Sequence, residues 1–138
     1  MTTMLDASSV LLGRFAAAFP TVPTWWPGTD FRPPDNGALW CQVRLVWGAG
    51  EVLTMAPDKT NRLHGVLQVR IYAPQNTGDG DALRLAEQVR QLYNRLDEGG
   101  VRCAVASGFQ TADEYAMSWY AGQVTVPYWI VETAPGFS

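Results

Sequence analysis

Two stretches of the chain share one pattern: CQVRLVW at residues 41–47 and LQVRIYA at residues 67–73. In both, apolar side chains alternate with others, and a period of two residues is typical of a β-strand with one buried face. Each stretch also carries a glutamine and an arginine at equivalent positions of the second face. The pattern predicts two partner strands of one antiparallel sheet, and it raises the question of what the second face contacts.

The region before the first strand predicts a helix followed by a proline-rich loop. Residues 5–19 place Leu5, Ser8 or Ser9, Leu12, Phe15, Ala16 and Phe19 at helical spacing. Residues 20–38 contain five prolines and cannot form a helix or a central strand, because proline lacks the backbone N–H and fixes φ. We expect an ordered loop that crosses the body of the protein. Three aromatic side chains either anchor this loop to the core or contact a partner: Trp25, Trp26 and Phe31.

The region after the first strand predicts a hairpin, a long helix and further strands. Gly48-Ala49-Gly50 predicts a turn into a short return strand, and the polar segment 56–62 predicts the tip of a hairpin. Residues 81–100 carry an apolar stripe at helical spacing, with Gly99-Gly100 as the stop signal. Strands recur in the last third, where Pro127 favours an edge position or a bulge for the final strand.

This order of elements predicts the α+β fold class: a two-layer domain with a mainly antiparallel or mixed β-sheet and two helices on one face. A length of 138 residues with 47% hydrophobic residues predicts a single domain over residues 1–138. The net charge of -3 and the single lysine provide no basic field that would hold a polyanion. Because no secretory signal or membrane-length apolar run stands out, we expect a soluble protein made in a cytoplasm.

The residues that could carry chemistry form no catalytic pattern. The one histidine, His64, has no local nucleophile or orienting carboxylate. Helix capping explains the segment TGDGD at residues 77–81, and the adjacent Asp113 and Glu114 would point to opposite faces of a strand. Both cysteines lie in apolar stretches without metal-ligand spacing, which predicts buried free thiols. The sequence therefore predicts no enzyme, no cofactor and no metal site.

A series of spaced motifs carries a family resemblance. In chain order the motifs are Trp26-Pro27, Phe31, Pro33-Pro34, Trp40, Arg62-Leu-His-Gly65, Leu67-Gln-Val-Arg-Ile-Tyr-Ala-Pro74, Gly78-Asp-Gly80 and Ala82-Leu-Arg-Leu-Ala86. Between residues 25 and 96 this order resembles the tail terminator, or tail completion, proteins of long-tailed bacteriophages, a group that includes the lambda tail terminator. The N-terminal helix and the C-terminal strands are compatible with the same family.

The resemblance implies a structural virion protein without a catalytic site. Proteins of this family form a hexameric ring on the head-proximal end of the tail tube, stop the addition of tube subunits and offer the surface that joins the head. The implied partners are further copies of the chain, the major tail tube protein and a head–tail connector protein, while the genome passes through the lumen without specific binding. The alternatives are a neck or head-completion protein, or a small module that binds a carbohydrate or peptide through the Trp25-Trp26 loop.

Given this resemblance, the second face of the two strands, or the hairpin at residues 55–62 beside it, becomes a candidate contact with a neighbouring subunit or with the tube. Arginine, aromatic and neutral polar residues with almost no lysine are typical of an interface rather than of an average surface. A solvated sheet face is the alternative. The candidate contact residues are Trp40, Gln42, Arg44, Lys59, Arg62, Gln68, Arg70 and Tyr72.

Overall fold

The computed structural model describes residues 3–32, 34, 38–54, 60–74, 80–111 and 119–133. The helices are α1 (Met4–Ala18) and α2 (Gly80–Tyr93). The strands are β1 (Thr24–Trp25), β2 (Trp40–Thr54), β3 (Thr60–Pro74), β4 (Asp97–Glu98), β5 (Val101–Cys103), β6 (Gln110–Thr111) and β7 (Trp119–Thr133). Three of the strands have 15 residues, which extends each over about 50 Å.

The seven strands of the described chain form one mixed sheet. Their order is β1-β2-β3-β7-β5-β4, and β6 pairs with β7. β1 and β2 run parallel, and the other described pairs run antiparallel. Both helices pack with the apolar side chains of one sheet face in a single core cluster. The predicted two-layer α+β fold is therefore confirmed.

The apolar face of the sheet is built by strand alternation. In β3 the buried side chains of this face are Leu67, Val69 and Ile71, as the sequence predicts. β7 adds Val124 and Val126 by the same alternation. Because the intervening residues point to the other side, this alternation also fixes which side chains the second face presents.

The side of α1 that faces the core differs in part from the predicted one. Phe15 is fully buried as predicted, and Leu12 and Phe19 are partly buried against the core. The other fully buried residues are Ala7 and Leu11, whereas Leu5 is 76% exposed. Two apolar stripes run along this helix, and periodicity alone does not select between them. The selecting contact comes from α2, where the Tyr93 hydroxyl donates to the Leu11 carbonyl oxygen at 2.6 Å. This hydrogen bond holds the Leu11 side of α1 against α2.

α2 buries its predicted stripe but ends earlier than predicted. Its buried residues are Ala82, Leu85, Ala86, Val89 and Tyr93. The helix ends at Tyr93, and two residues later Arg95 has a left-handed φ of 57°, which a right-handed helix cannot contain. Gly99 and Gly100 have φ values of 60° and 82° and form the turn between β4 and β5 instead of the helix stop.

β2 continues through Gly48-Ala49-Gly50, so the predicted turn and short return strand are wrong. The register moves from Trp47 opposite Gly65 to Gly50 opposite Leu63, which leaves one extra residue on β2 and forms a β-bulge. Small residues suit a bulge as well as a turn, and the sequence pattern does not distinguish the two. The connection between β2 and β3 at residues 55–59, including the candidate Lys59, lies outside the described residues.

Pro127 lies in a central strand, because β7 runs between β3 and β5. The Pro127 carbonyl oxygen accepts a hydrogen bond from the Ala104 N–H at 2.8 Å. In an antiparallel strand the nitrogen and oxygen of one residue point to the same side, so the Pro127 nitrogen also faces away from β3. On that side β5 has already ended at Cys103. A proline is tolerated there without an edge position.

Candidate interaction surface

The face of the sheet that points away from the helices is only partly covered, and we call it the open face. Strand register places its side chains in rows, with Gln42 beside Arg70 and Arg44 beside Gln68. These side chains are half-buried or exposed. The open face comprises Gln42, Arg44, Val46, Arg62, His64, Val66, Gln68, Arg70, Arg102, Gln123, Thr125, Pro127, Trp129 and Val131.

Neutral amides hold the two central arginines of the open face. Arg44 Nε donates to Gln68 Oε1 at 2.7 Å. One terminal guanidinium nitrogen of Arg70 donates to Gln123 Oε1 at 3.2 Å. An amide positions a guanidinium without neutralising it, so the charges of both arginines remain available to a partner. In the described helix layer, by contrast, each of the arginines Arg14, Arg84 and Arg90 forms an ion pair with a carboxylate.

Apolar side chains lie beside the arginines on the same face. Val46 is 40% exposed and stands in one row with the half-buried Val66 and the exposed Pro127. We call these three residues the apolar row. Further along the strands, the guanidinium carbon of Arg62 lies 5.3 Å from the ring centroid of Trp129, within the range of a cation–π contact. The open face thus combines apolar area with cationic groups, as the centres of protein interfaces do.

One end of the open face is covered by the subunit's own proline-rich loop. The prediction that Trp40 and Tyr72 are contact residues is therefore corrected. Both rings belong to the second face as predicted, but they are 0% and 1% exposed. They stack with centroids 4.0 Å apart and planes at 11°, and Phe31 stacks on Trp40 at 4.9 Å. Trp25 stacks on Phe31 in turn at 6.2 Å. Because the proline-rich loop covers them, Trp40 and Tyr72 leave the set of candidate contact residues.

The loop attaches to both sides of the sheet through its adjacent tryptophans. Trp25 joins the stack at the end of the open face, while the Trp26 ring meets Phe15 of α1 edge-on at 5.8 Å in the main core. Adjacent residues of an extended chain point to opposite sides, which explains this division. The Trp25 indole N–H also donates to the Thr29 carbonyl oxygen at 2.7 Å across a turn that Gly28 makes with φ of 73°. All three candidate anchors therefore contact the body of the subunit.

The remaining chemical groups assemble no site in the described part of the chain. His64 is half-buried opposite Trp129 in the β3–β7 pair. Cys41 and Cys103 are buried free thiols, and burial raises the pKa of Cys103 to about 11. The described residues include no group of His, Cys, Asp or Glu that could hold a metal ion, and neither helix is long and apolar enough to span a bilayer. Asp113 and Glu114 lie outside the described residues.

A comparison with protein families decides the assignment. A family model described as phage tail terminator protein matches residues 6–128. The chain belongs to the phage tail terminator family. A solved structure superposes on 92% of this chain, and on 92% of its own, with a TM-score of 0.62 at 20% sequence identity. At this identity the likeness concerns the fold alone. No curated protein matches this chain.

Membership of the tail terminator family makes this chain a structural component of a phage tail and a member of a non-enzymatic family. The resemblance seen in the sequence is confirmed. Sequence reasoning did not single out Arg102 and Trp129 as part of the open face. The signal was present for Trp129, because it alternates with the buried Tyr128 and Ile130. For Arg102 the sequence carries no such alternation, since β5 has only three residues. Its pairing with β7 decides that Arg102 lies on the open face.

Proposed function

We propose that this chain forms a ring on the head-proximal end of the phage tail tube, ends tube growth there and provides the surface that joins the head. Family membership supports the tail role, and the open face supports the ring. The observation that carries the proposal is an uncovered sheet face on which Arg44 and Arg70 are held by amides beside exposed Val46. A face of this composition gains stability when a partner supplies carboxylates and apolar area.

The ring acts through differential association and needs no catalytic or cofactor site. One side of a ring is complementary to the last ring of tube subunits, and its other side does not accept a further tube subunit. Growth stops once such a ring has bound, since the tube end no longer presents its own addition surface. The partners in this proposal are further copies of the chain, six in the ring, together with the major tail tube protein and the head–tail connector protein.

The charge distribution favours placing the open face against a neighbouring subunit rather than along the lumen. The strands of this face carry Arg44, Arg62, Arg70 and Arg102, and of these Arg102 forms an exposed ion pair with Asp97 at 3.6 Å. A lumen lined by the other three arginines of each subunit would bind the phosphates of the passing genome and hold it. If these arginines are buried between subunits, other surfaces of the chain line the lumen, and the net charge of the chain is -3. The genome then passes without specific binding.

The proposal is tested by electron microscopy of tails assembled without this chain. We expect tubes longer than normal, because nothing stops the addition of tube subunits. Supplying the wild-type chain restores the normal length, and supplying Arg44→Glu/Arg70→Glu does not. The matched control is Arg84→Glu, which reverses an arginine of α2 that is 72% exposed and should restore length as the wild type does. Tubes of normal length in the absence of the chain contradict termination.

The same micrographs separate the two alternative functions. A neck or head-completion protein predicts tails of normal length that lack heads. A binding module that uses the Trp25-Trp26 loop predicts normal virions and loss of carbohydrate or peptide binding in Trp26→Ala. The packing of the Trp26 ring against Phe15 favours an anchoring role for this residue, so we expect Trp26→Ala to lower the free energy of unfolding instead.

A further inference from the structure

A second exposed apolar patch lies at the start of α1. Met4 is 52% exposed and its neighbour Leu5 is 76% exposed. The next residue, Asp6, accepts a hydrogen bond from the Thr3 backbone N–H at 3.0 Å and forms no ion pair with a described residue. The start of α1 is therefore apolar and acidic. An adjacent pair of large exposed apolar side chains is a common mark of a protein contact.

This patch complements one part of the open face. There the apolar row exposes Val46, and Arg44 lies two residues before Val46 in the same strand and on the same side. The Arg44 guanidinium contacts the Gln68 amide and no described carboxylate. One patch thus offers apolar area with an anion, and the other offers apolar area with a cation, and neither charge forms an ion pair with a described residue.

A single chain cannot bring the two patches together. α1 packs through Ala7, Leu11 and Phe15 on the apolar side of the sheet, whereas Val46 points to the opposite side. A contact between Leu5 and Val46 therefore joins two copies through different surfaces. A contact of this kind is heterologous, and repeating it generates a closed ring when the rotation between copies allows closure.

We propose that the start of α1 in one copy packs on the apolar row of the next copy, with Leu5 against Val46 and Asp6 beside Arg44. The contact rests on the proposed ring and names the two surfaces that would close it. Removal of apolar area from water supplies the attraction. The pairing of Asp6 with Arg44 sets the orientation, because opposite charges fix register and like charges at the same place oppose it.

Charge substitutions at positions 5 and 46 test this contact by sedimentation over a range of concentrations. Leu5→Lys places a cation against Arg44, and Val46→Asp places an anion against Asp6. Each should raise the concentration needed for assembly by about tenfold or more, since each removes apolar burial and adds repulsion. The control is Leu83→Lys, which makes the same change as Leu5→Lys at a residue of α2 that is 44% exposed. It should assemble as the wild type does.

The double variant Leu5→Lys/Val46→Asp provides the decisive comparison. If the two positions meet between copies, the introduced lysine and aspartate form a new pair, and assembly recovers relative to either single variant. The control Leu83→Lys/Val46→Asp should show no recovery. Circular dichroism of each variant at low concentration checks that the monomer remains folded.

The outcomes separate this contact from the ring itself. A wild-type ring whose single variants also assemble normally overturns the contact and leaves the ring standing. A double variant that assembles no better than the worse single variant overturns it as well, since the two positions then act independently. A wild-type chain that stays monomeric in solution and on tails overturns both proposals.

Discussion

Arg44 and Gln68 are joined across the β2–β3 pair, with Arg44 Nε donating to Gln68 Oε1 at 2.7 Å. The repeated Gln-Val-Arg pattern produces this arrangement, because antiparallel pairing places the arginine of one strand beside the glutamine of the other. Arg70 is placed beside Gln42 by the same register. Two arginines are thus oriented on an open surface and keep their charges for a partner.

Reversing these arginines should disrupt self-association. In Arg44→Glu/Arg70→Glu, two cations at the proposed subunit contact become anions, and we expect the concentration for half-assembly to rise by about tenfold or more. Light scattering over a concentration series measures the change. Arg84→Glu is the control, because the exposed ion pair of Arg84 with Asp81 contributes little. An unchanged oligomer in the double variant would show that the open face is a solvated surface.

Replacing Gly65 should destabilise the fold. A Cβ at this position would lie 2.6 Å from the Tyr128 hydroxyl oxygen and 2.9 Å from the Val46 carbonyl oxygen. Gly65→Ala should therefore lower the free energy of unfolding by about 2 kcal/mol through overpacking. Urea denaturation measures it. Gly13→Ala is the matched control, and it should raise the free energy of unfolding. A Cβ at position 13 meets nothing within 4 Å, and alanine is favoured over glycine in a helix interior by about 1 kcal/mol. Equal stability of both variants and the wild type would refute the packing at Gly65.

Removing the Phe31 ring should uncover the stacked aromatic pair beneath it. The ring centroids of Phe31 and Trp40 lie 4.9 Å apart, and Phe31 is itself half-buried. Phe31→Ala should therefore lower the free energy of unfolding by about 2 kcal/mol. The near-ultraviolet circular dichroism of the Trp40–Tyr72 pair should weaken at the same time. Asp30→Ala changes the neighbouring exposed residue and should leave both readouts unchanged. If the Phe31 variant behaves like that control, the loop does not anchor on the sheet.

Stability should fall in alkaline solution because of the buried thiols. Burial raises the pKa of Cys103 from 9.0 to about 11. Between these values the unfolded chain releases the Cys103 proton while the folded chain retains it. The contribution of this thiol is therefore complete below pH 9 and is lost as the pH rises towards 11. Urea denaturation across this range should show the decline, and Cys103→Ala should show a shallower one. An equal slope in the two proteins would remove this thiol as a cause.

Strand alternation and the α2 stripe made most of the fold predictable. A period of two residues assigned Leu67, Val69 and Ile71 to the core, and these residues are buried as predicted. The covered end of the open face and the register shift between β2 and β3 were not predictable, because both depend on contacts between residues distant in sequence. Trp40 and Tyr72 are buried by a loop whose path only the folded chain defines. Similarly, α1 carries two possible apolar stripes, and its contact with Tyr93 of α2 selects one of them.

The most direct test of termination adds the purified chain to tail tube subunits during polymerisation. If the chain forms a ring that caps the tube, growth stops at the capped end, and electron micrographs show a terminal ring there. The length of the tubes should then decrease as more of the chain is added, and Arg44→Glu/Arg70→Glu should have no such effect. Tubes that continue to grow with wild-type chain bound at their ends, or with none bound, would contradict the proposed role in tail termination.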